Sequence, residues 1–348
     1  MAPYNNLMGV NLKGLLEPKK IELKDLKGKK VAIDAFNALY QFISIIRQYD
    51  GSPLVDSKGS ITSHLSGLFY RNINLLKEGI LPCYVFDGKA PSFKSQTVNE
   101  RINIRSRAKE EYEQALAEGD YERAKSKSMQ SAVLTKEMVS ESKELLDALG
   151  IPWIDAPSEG EAQAAFMAIN GDVYASVSQD FDSLLFGTPI LVRNLNITGK
   201  RKIPGKTAYS TIYPEIIILK DELKRLGLSR EQLIMVAMLV GTDYNPKGVL
   251  GLGPKKAYKL VSEKKSFKEV FSSVEWEFEI SPKEIFDFFM NTPFKKDYEI
   301  KHADIDEKKL IEMLCTKHDF SKARVESVLA SMDELKKPKT QTGLDNFF

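Results

Sequence analysis

Three times in this chain a short apolar run ends on an aspartate: Val31-Ala-Ile-Asp34, Leu81-Pro-Cys-Tyr-Val-Phe-Asp87 and Asp172-Val-Tyr-Ala-Ser-Val-Ser-Gln-Asp180. A fourth run, Pro189-Ile-Leu-Val-Arg193, follows closely. Continuous runs of this kind, bounded by turn residues, read as strands buried on both faces. Helical patterns lie between them, at Ser60 to Glu78 and Ser158 to Ile169. The alternation predicts an α/β fold, a mostly parallel central sheet flanked by helices. In such sheets ligands bind beyond the carboxyl ends of the strands. One terminal Asp is an ordinary turn residue; three in one chain are much harder to explain that way.

Composition removes several function classes. With 348 residues, 43% of them hydrophobic, the chain can bury one large core or two ordinary ones. No run approaches 18 apolar residues, so no transmembrane helix is expected, and the first ten residues lack the pattern of a secretory signal. Cys83 and Cys315 are the only cysteines, which excludes a disulfide scaffold and a Cys-based zinc site. His64, His302 and His318 fit no zinc-hydrolase spacing, and no Ser-His-Asp or Cys-His arrangement is evident. The net charge of +2, from 50 basic and 48 acidic residues, argues at first against a nucleic-acid partner.

Seven acids stand out by context: Asp34, Asp87, Glu159, Glu161, Asp180, Asp182 and Asp243. Around Ser158-Glu-Gly-Glu161 a helix start alone suffices as explanation, with Ser158 as cap, Glu161 closing a capping box and Glu159 near the positive dipole end. Asp180-Phe-Asp182 lies just beyond a strand. Asp243 follows a helix whose C-terminus disfavours an anion, so it needs solvent or a cation. If the strands are adjacent, these acids converge on one mouth of the sheet, where crowded carboxylates repel and raise each other's pKa values. Hard divalent cations relieve that repulsion, and magnesium commonly shares a site with substrate phosphates. Two ions about 3.5–4 Å apart can activate a water and stabilise the leaving oxygen of a phosphodiester. The pattern points to metal-assisted phosphoryl hydrolysis.

Between Ser92 and Ile151 the chain is helix-forming, but Asn99 to Lys127 is too polar to bury a wide face. With a turn at Gly119-Asp120 it reads as a protruding helical hairpin or a solvated surface helix. Lys94 and Arg101, seven residues apart, share one helix face. Ser229-Arg-Glu-Gln232 opens an apolar helix with a capping-box pattern, Gly241 ends it, and the loop Gly248 to Gly253 leads to Pro254 at the start of another helix. Gly251-x-Gly253 presents backbone N–H groups to a phosphate, and Lys255 and Lys256 add sequence-independent attraction. A simple helix-entry turn explains the glycines as well. The residues from Ser266 to Leu335 read as helical with aromatic anchors such as Trp276 and Phe288, and Lys336 to Thr340 as a flexible linker.

Val31-Ala-Ile-Asp34 with Tyr40-Gln-Phe, Val85-Phe-Asp-Gly-Lys-Ala-Pro91, Glu159-Gly-Glu-Ala-Gln-Ala-Ala165, Ser178-Gln-Asp-Phe-Asp-Ser183, Val240-Gly-Thr-Asp-Tyr244 and Gly251-Leu-Gly-Pro-Lys-Lys-Ala257 occur in this order. Together they resemble the flap endonucleases of archaea and eukaryotes, over Met8 to Phe348. The resemblance implies a PIN-like 5′ nuclease core over 8–265, with a helical arch at 92–135 and a helix-two-turn-helix DNA-binding region at 229–265. It further implies a C-terminal helical region at 266–335 packed on that core, and a flexible tail at 336–348. The implied activity is structure-specific cleavage of 5′ flaps, with 5′–3′ exonuclease activity, in Okazaki fragment maturation and repair. Asp34, Asp87, Glu159 and Glu161 match the family's first metal cluster, and Asp180, Asp182 and Asp243 the second, for two magnesium ions with manganese as a substitute. Lys94 and Arg101 match the basic residues that face the scissile phosphate, and Tyr40 an aromatic that stacks on a nucleobase. Arg47 and Arg71 match duplex-binding arginines, and the helix-two-turn-helix element implies a potassium ion. Gln341, Leu344, Phe347 and Phe348 resemble the sliding-clamp (PCNA) binding box, where apolar anchors on a tethered tail suit a partner's pocket. The partners implied are branched DNA and the clamp, for a protein monomeric by itself, intracellular and away from membranes, in the nucleoid or the nucleus.

Two departures bear on this. Met1 to Leu7 precede the family's usual start, and the chain stops at the clamp box without the basic extension common in eukaryotic members, which favours an archaeal type. A non-catalytic, clamp-recruited DNA-binding adaptor and a related junction or RNA nuclease are the alternative readings. The massed acids weigh against the first, the clamp box and compact arch against the second. The charge also changes meaning: outside the seven acids, 41 acidic residues face 50 basic ones, and Arg193 to Lys206 holds five basic residues and no acid. A negative pocket in a positive surface suits DNA.

Overall fold

The computed structural model describes residues 9–48, 50–197, 199–202 and 209–336. Seven strands form one sheet: β1 (Lys19–Lys20), β2 (Lys30–Asp34), β3 (Leu81–Phe86), β4 (Trp153–Asp155), β5 (Ala175–Val177), β6 (Ile190–Arg193) and β9 (Glu215–Ile218), while β7 (Gly199–Lys202) and β8 (Tyr209–Ile212) pair as a separate hairpin. The helices are α1 (Ala35–Ile45), α2 (Ser63–Lys77), α3 (Ser95–Ala117), α4 (Tyr121–Gln130), α5 (Lys136–Ala148), α6 (Gly160–Ile169) and α7 (Asp182–Leu185). After β9 come α8 (Leu219–Leu226), α9 (Arg230–Val240), α10 (Pro254–Lys264), α11 (Phe267–Ser272), α12 (Pro282–Asn291), α13 (Glu307–Ile311) and α14 (Lys322–Lys336).

The sheet order is β1-β9-β6-β5-β2-β3-β4. Every pairing from β6 to β4 is parallel; β9 and β1 add an antiparallel edge. From β2 the chain runs outward through β3 to β4, then returns to place β5 on the other side of β2. That reversal opens a crevice between β2 and β5 at their carboxyl ends, where open α/β sheets bind ligands.

The strands alternate strictly between two faces, as the pleat requires. Val31, Ile33, Tyr84 and Phe86 pack with α1, α2 and α5 on one face. Ala32, Cys83 and Val85 meet α6 on the other. On that second face Leu191 and Ile217 join the largely apolar α9. Fully burying one such Leu, Ile or Phe side chain is worth roughly 1.5–3 kcal/mol. Residues after 265 serve both faces: Val270, Ile285 and Phe289 pack with α9, whereas Leu310, Met313, Val325 and Leu329 pack beside α2 and α5.

Some local expectations change. The run ending at Asp180 contributes only Ala175–Val177 to the sheet. Ser158 does not cap α6; Glu159 occupies that position without a side-chain cap. The N–H of Gly160 instead donates to Asp87 Oδ1 at 2.6 Å, so an acid from β3's end does the capping. At α9 the capping box of Ser229 and Gln232 is present, and Gly241 at φ 114° ends the helix. Helices α3 and α4 form a hairpin turning at Gly119–Asp120, with Asp120 accepting from Arg123 N at the start of α4.

Candidate active site

All seven acids line one cavity of about 300 Å³ at the crevice, together with Lys94, Arg101, Arg105 and Tyr40. Asp34 ends β2 and caps α1, accepting from Asn37 N at 3.0 Å. Asp87 follows β3, Glu159 and Glu161 flank the first turn of α6, and Asp180 and Asp182 follow β5. Asp243 arrives on the tight turn after α9. Asn245, fully buried, holds that turn by accepting from Thr242 N and donating to Met238 O at 2.6 Å.

Gly9 lies across the second group of acids. Val10 N donates to Asp182 Oδ1 at 3.0 Å and Gly9 N to Asp243 Oδ1 at 3.2 Å. With φ at 63°, and with a Cβ that would stand 2.6 Å from Asp180 Cβ, the position excludes any side chain.

Electrostatic crowding is the main property of the cavity. Burial, then neighbouring Asp87, pushes the Asp34 carboxyl well above the usual range. Burial and Asp182 do the same to Glu161, and burial and Asp243 to Asp182. Asp87 is pushed up to about 6 by burial and Glu159, and Asp180 up to about 6 by burial and Asp243. Asp243 alone goes down: burial works against its charge, but Arg101 and Lys94 outweigh it. Seven all-oxygen donors whose charges are this poorly compensated fit a hard divalent cation. Among the described residues no three His, Cys, Asp or Glu side chains are gathered tightly enough to hold an ion as they stand. The Lys94 ammonium stands among them instead, 2.8 Å from Glu159 Oε2 and 3.5 Å from Asp243 Oδ2.

The two cations are set by the docking of α3. Phe93 packs edge-on against Tyr244 and Phe288, each with ring centroids 5.3 Å away. Thr97 donates its hydroxyl to Asp243 O. From that anchor Arg101 Nη2 reaches Asp243 Oδ1 at 2.5 Å. The anion after a helix C-terminus thus has its cation. Burial disfavours the charge of Lys94, but Glu159, Asp243 and Asp87 together hold its pKa above the ordinary value. Tyr40 faces the cavity from α1 with the Arg105 guanidinium 4.6 Å over its ring.

The remaining sequence candidates lie elsewhere. Arg47 donates to Gly51 O at 3.1 Å and to Ser128 of α4, tying α4 to the loop after α1. Arg71 lines a separate cavity with Tyr70 and Asn74. Gly251 and Gly253 have open space where a Cβ would stand, Gly253 caps α10, and Lys255 and Lys256 are exposed in its first turn. Gln341, Leu344, Phe347 and Phe348 lie outside the described residues, as do the linker beyond Lys336 and Met1 to Met8.

Three residues of the site escaped the sequence reading. Asn37 spans the crevice, donating to Asp180 Oδ2 at 2.9 Å. Its place one turn after Asp34 on α1 was the available signal. Arg193, at the end of β6, donates to Gln179 O at 3.0 Å and lies 4.2 Å over Phe181. Tyr244 lines the cavity beneath Lys94; nothing in its local sequence marks it.

Two family models match the chain: the XPG N-terminal domain over residues 8–108 and the XPG I-region over 150–243. Flap endonuclease 1 of Staphylothermus marinus is 53% identical, over 98% of this chain and all of that protein. Flap endonuclease 1 of Thermococcus onnurineus is 51% identical, over 98% of this chain and 99% of that protein. Among solved structures, flap endonuclease-1 from Methanococcus jannaschii superposes with a TM-score of 0.73 at 38% identity, covering 94% of this chain and 98% of that one. The catalytic core of Rad2 in complex with a DNA substrate gives 0.67 at 25% identity, over 90% and 96% of the two chains. The chain belongs to the flap endonuclease family.

Proposed function

We propose that the protein is a structure-specific 5′ flap endonuclease with 5′–3′ exonuclease activity, acting on branched DNA in replication and repair. The observation that carries the reading is seven carboxylates lining one cavity at the sheet's crevice, with Lys94 and Arg101 held against them. Asp34, Asp87, Glu159 and Glu161 are assigned to one divalent ion, and Asp180, Asp182 and Asp243 to a second; magnesium is the proposed metal. When bound, such ions make a nucleophile from water and stabilise the leaving oxygen.

The chain's own groups do the rest. Lys94 and Arg101 meet the negative charge that develops on the transferring phosphoryl group. Their fixing by Phe93 and Thr97 means they need little reorganisation on substrate binding. Asn37 holds Asp180 in place, and Tyr40 offers a face for a nucleobase. The open backbone at Gly251 and Gly253, with Lys255 and Lys256, is assigned to the phosphates of the duplex and to a potassium ion, and Arg47 and Arg71 to duplex contacts. Helices α3 and α4 are assigned to the arch, residues 229–265 to the helix-two-turn-helix region, 266–335 to the C-terminal helical region and 341–348 to a sliding clamp.

Cleavage of a 5′-flap DNA in magnesium, set against EDTA, tests the activity and its metal requirement together. Parallel flap, four-way-junction and RNA substrates test the specificity. Flap cleavage is expected to be fastest and to vanish in EDTA; cleavage undiminished by EDTA removes the metal assignment.

A further inference from the structure

A second cavity, of about 170 Å³, adjoins the acid-lined one. It is roughly ten times the ~15 Å³ that admits a single water molecule. Asn37, Tyr40, Arg101, Arg105 and Asp180 line both, so those side chains form a wall between two chambers. In that wall Arg105 covers the Tyr40 ring.

The chemistry of the second chamber differs sharply from the first. Ile45, Ile104, Met129 and Ala132 give it apolar sides. Two buried polar atoms of its lining residues, Gln41 Oε1 and Arg101 Nε, have no hydrogen-bond partner. The amide nitrogen of Gln41 is committed to Asn37 Oδ1 at 2.7 Å, which fixes the side chain and leaves the oxygen as an acceptor without a donor. Buried polar atoms are seldom left unpaired without a ligand or a functional reason.

We propose that this chamber takes the nucleobase of the nucleotide on the 5′ side of the scissile phosphate. Tyr40 is the stacking wall, Gln41 Oε1 accepts an N–H from the base, and Arg105 is the cover that the base displaces from Tyr40. The inference rests on the reading of the acid-lined cavity as the catalytic centre. A flat, largely apolar ring with N–H groups on one edge matches apolar walls with a lone acceptor, whereas a phosphate does not. Stacking on an aromatic tolerates every base, and each of the four bases carries an N–H on its Watson–Crick edge. Only an unpaired nucleotide can place its base there, so the chamber favours a substrate whose 5′ side is single-stranded.

The test compares two flap substrates, one with a normal base at that nucleotide and one with a tetrahydrofuran abasic residue, under single-turnover conditions. Wild-type cleavage of the abasic flap should be slower by about 5- to 100-fold, the range of one base–aromatic stack. Ile104→Trp fills the chamber from an exposed position on α3, 41% accessible. It should slow the base-bearing flap by at least about tenfold and the abasic flap by no more than about twofold, a coupling that a general structural defect does not produce. A 2-aminopurine at the same nucleotide, read in EDTA, should be quenched on binding the wild type and less so with Ile104→Trp.

Equal wild-type rates with and without the base overturn the proposal, as does an equal loss on both substrates in the variant. The wild-type comparison involves no substitution, so it decides even where Ile104→Trp fails to fold. A wild-type chain that cleaves neither substrate overturns the catalytic reading instead, which separates the two failures.

Discussion

Arg101 and Asp243 are 142 residues apart in sequence, yet Nη2 of one stands 2.5 Å from Oδ1 of the other. The pair joins α3, a helix too polar to form a core, to the turn after the most apolar helix of the chain. It also explains why Asp243 alone among the acids has a lowered pKa. Replacing Arg101 with Ala should cut the single-turnover cleavage rate by on the order of 10²–10³, the cost of removing one preset electrostatic partner of a transition state. DNA affinity, measured by anisotropy, should change much less. A loss in affinity equal to the loss in rate makes Arg101 a binding group only.

Asp180→Ala should abolish measurable cleavage, with a loss of at least about 10³-fold expected for a group assigned to the metals. Folding should survive, because the substitution removes a repelling charge as well as the hydrogen bond from Asn37. A thermal melt in EDTA should therefore be within a few degrees of wild type. Wild-type cleavage in this variant sinks the metal assignment.

The crowded acids make metal-free stability depend on pH in a definite direction. Asp87 and Asp180 have folded-state values near 6, above the ordinary 3.8. The folded state thus holds more protons than the unfolded one between those values, and stability falls as pH rises through about 6. Roughly 1–3 kcal/mol should be lost across pH 4–7 in EDTA. Magnesium should restore it at pH 7 by binding the ionised form. Melting curves that do not respond to pH in EDTA contradict this account.

Gly9→Ala is expected to be more damaging than its size suggests. The added methyl meets Asp180 and Asp182, and the backbone conformation penalises any side chain. A loss of about 1–3 kcal/mol in stability is expected from strain of this kind, together with a large loss of cleavage. A melting temperature and a flap-cleavage rate both unchanged rule out the close approach.

Deleting Gln341 to Phe348 should weaken binding to a sliding clamp while sparing cleavage of a flap by the protein alone. Pull-down on immobilised clamp and a clamp-free nuclease assay read the two effects separately. Loss of both gives the tail a part in the fold.

What could be read from the sequence followed from burial. Asp34 and Asp87 end strands covered on both faces, so their runs are continuous and their ends obvious. β9 and β1 are short antiparallel edge pieces, one four residues long and the other two, and too little of either is buried to leave a pattern. At Glu159 the motif was legible but the local physics was not. Ser158 had the right chemistry for a cap, yet Asp87, 73 residues earlier, took the Gly160 N–H. Long-range partners of this kind leave no local trace, and Asn37 and Arg193 went unread for the same reason.

The residues after 265 divide between the two faces of the sheet, with α12 against α9 on one and α14 beside α2 on the other. They act as a strap rather than an appendage. A fragment ended at 265 would bare hydrophobic surface on both sides at once, so the catalytic half cannot be trimmed free of its C-terminal helices. The same strap ties the two layers into one cooperative unit. The acids drawn from α6, α7 and the α9 turn on one side, and the groups presented by α1 on the other, are therefore lost together when the chain unfolds.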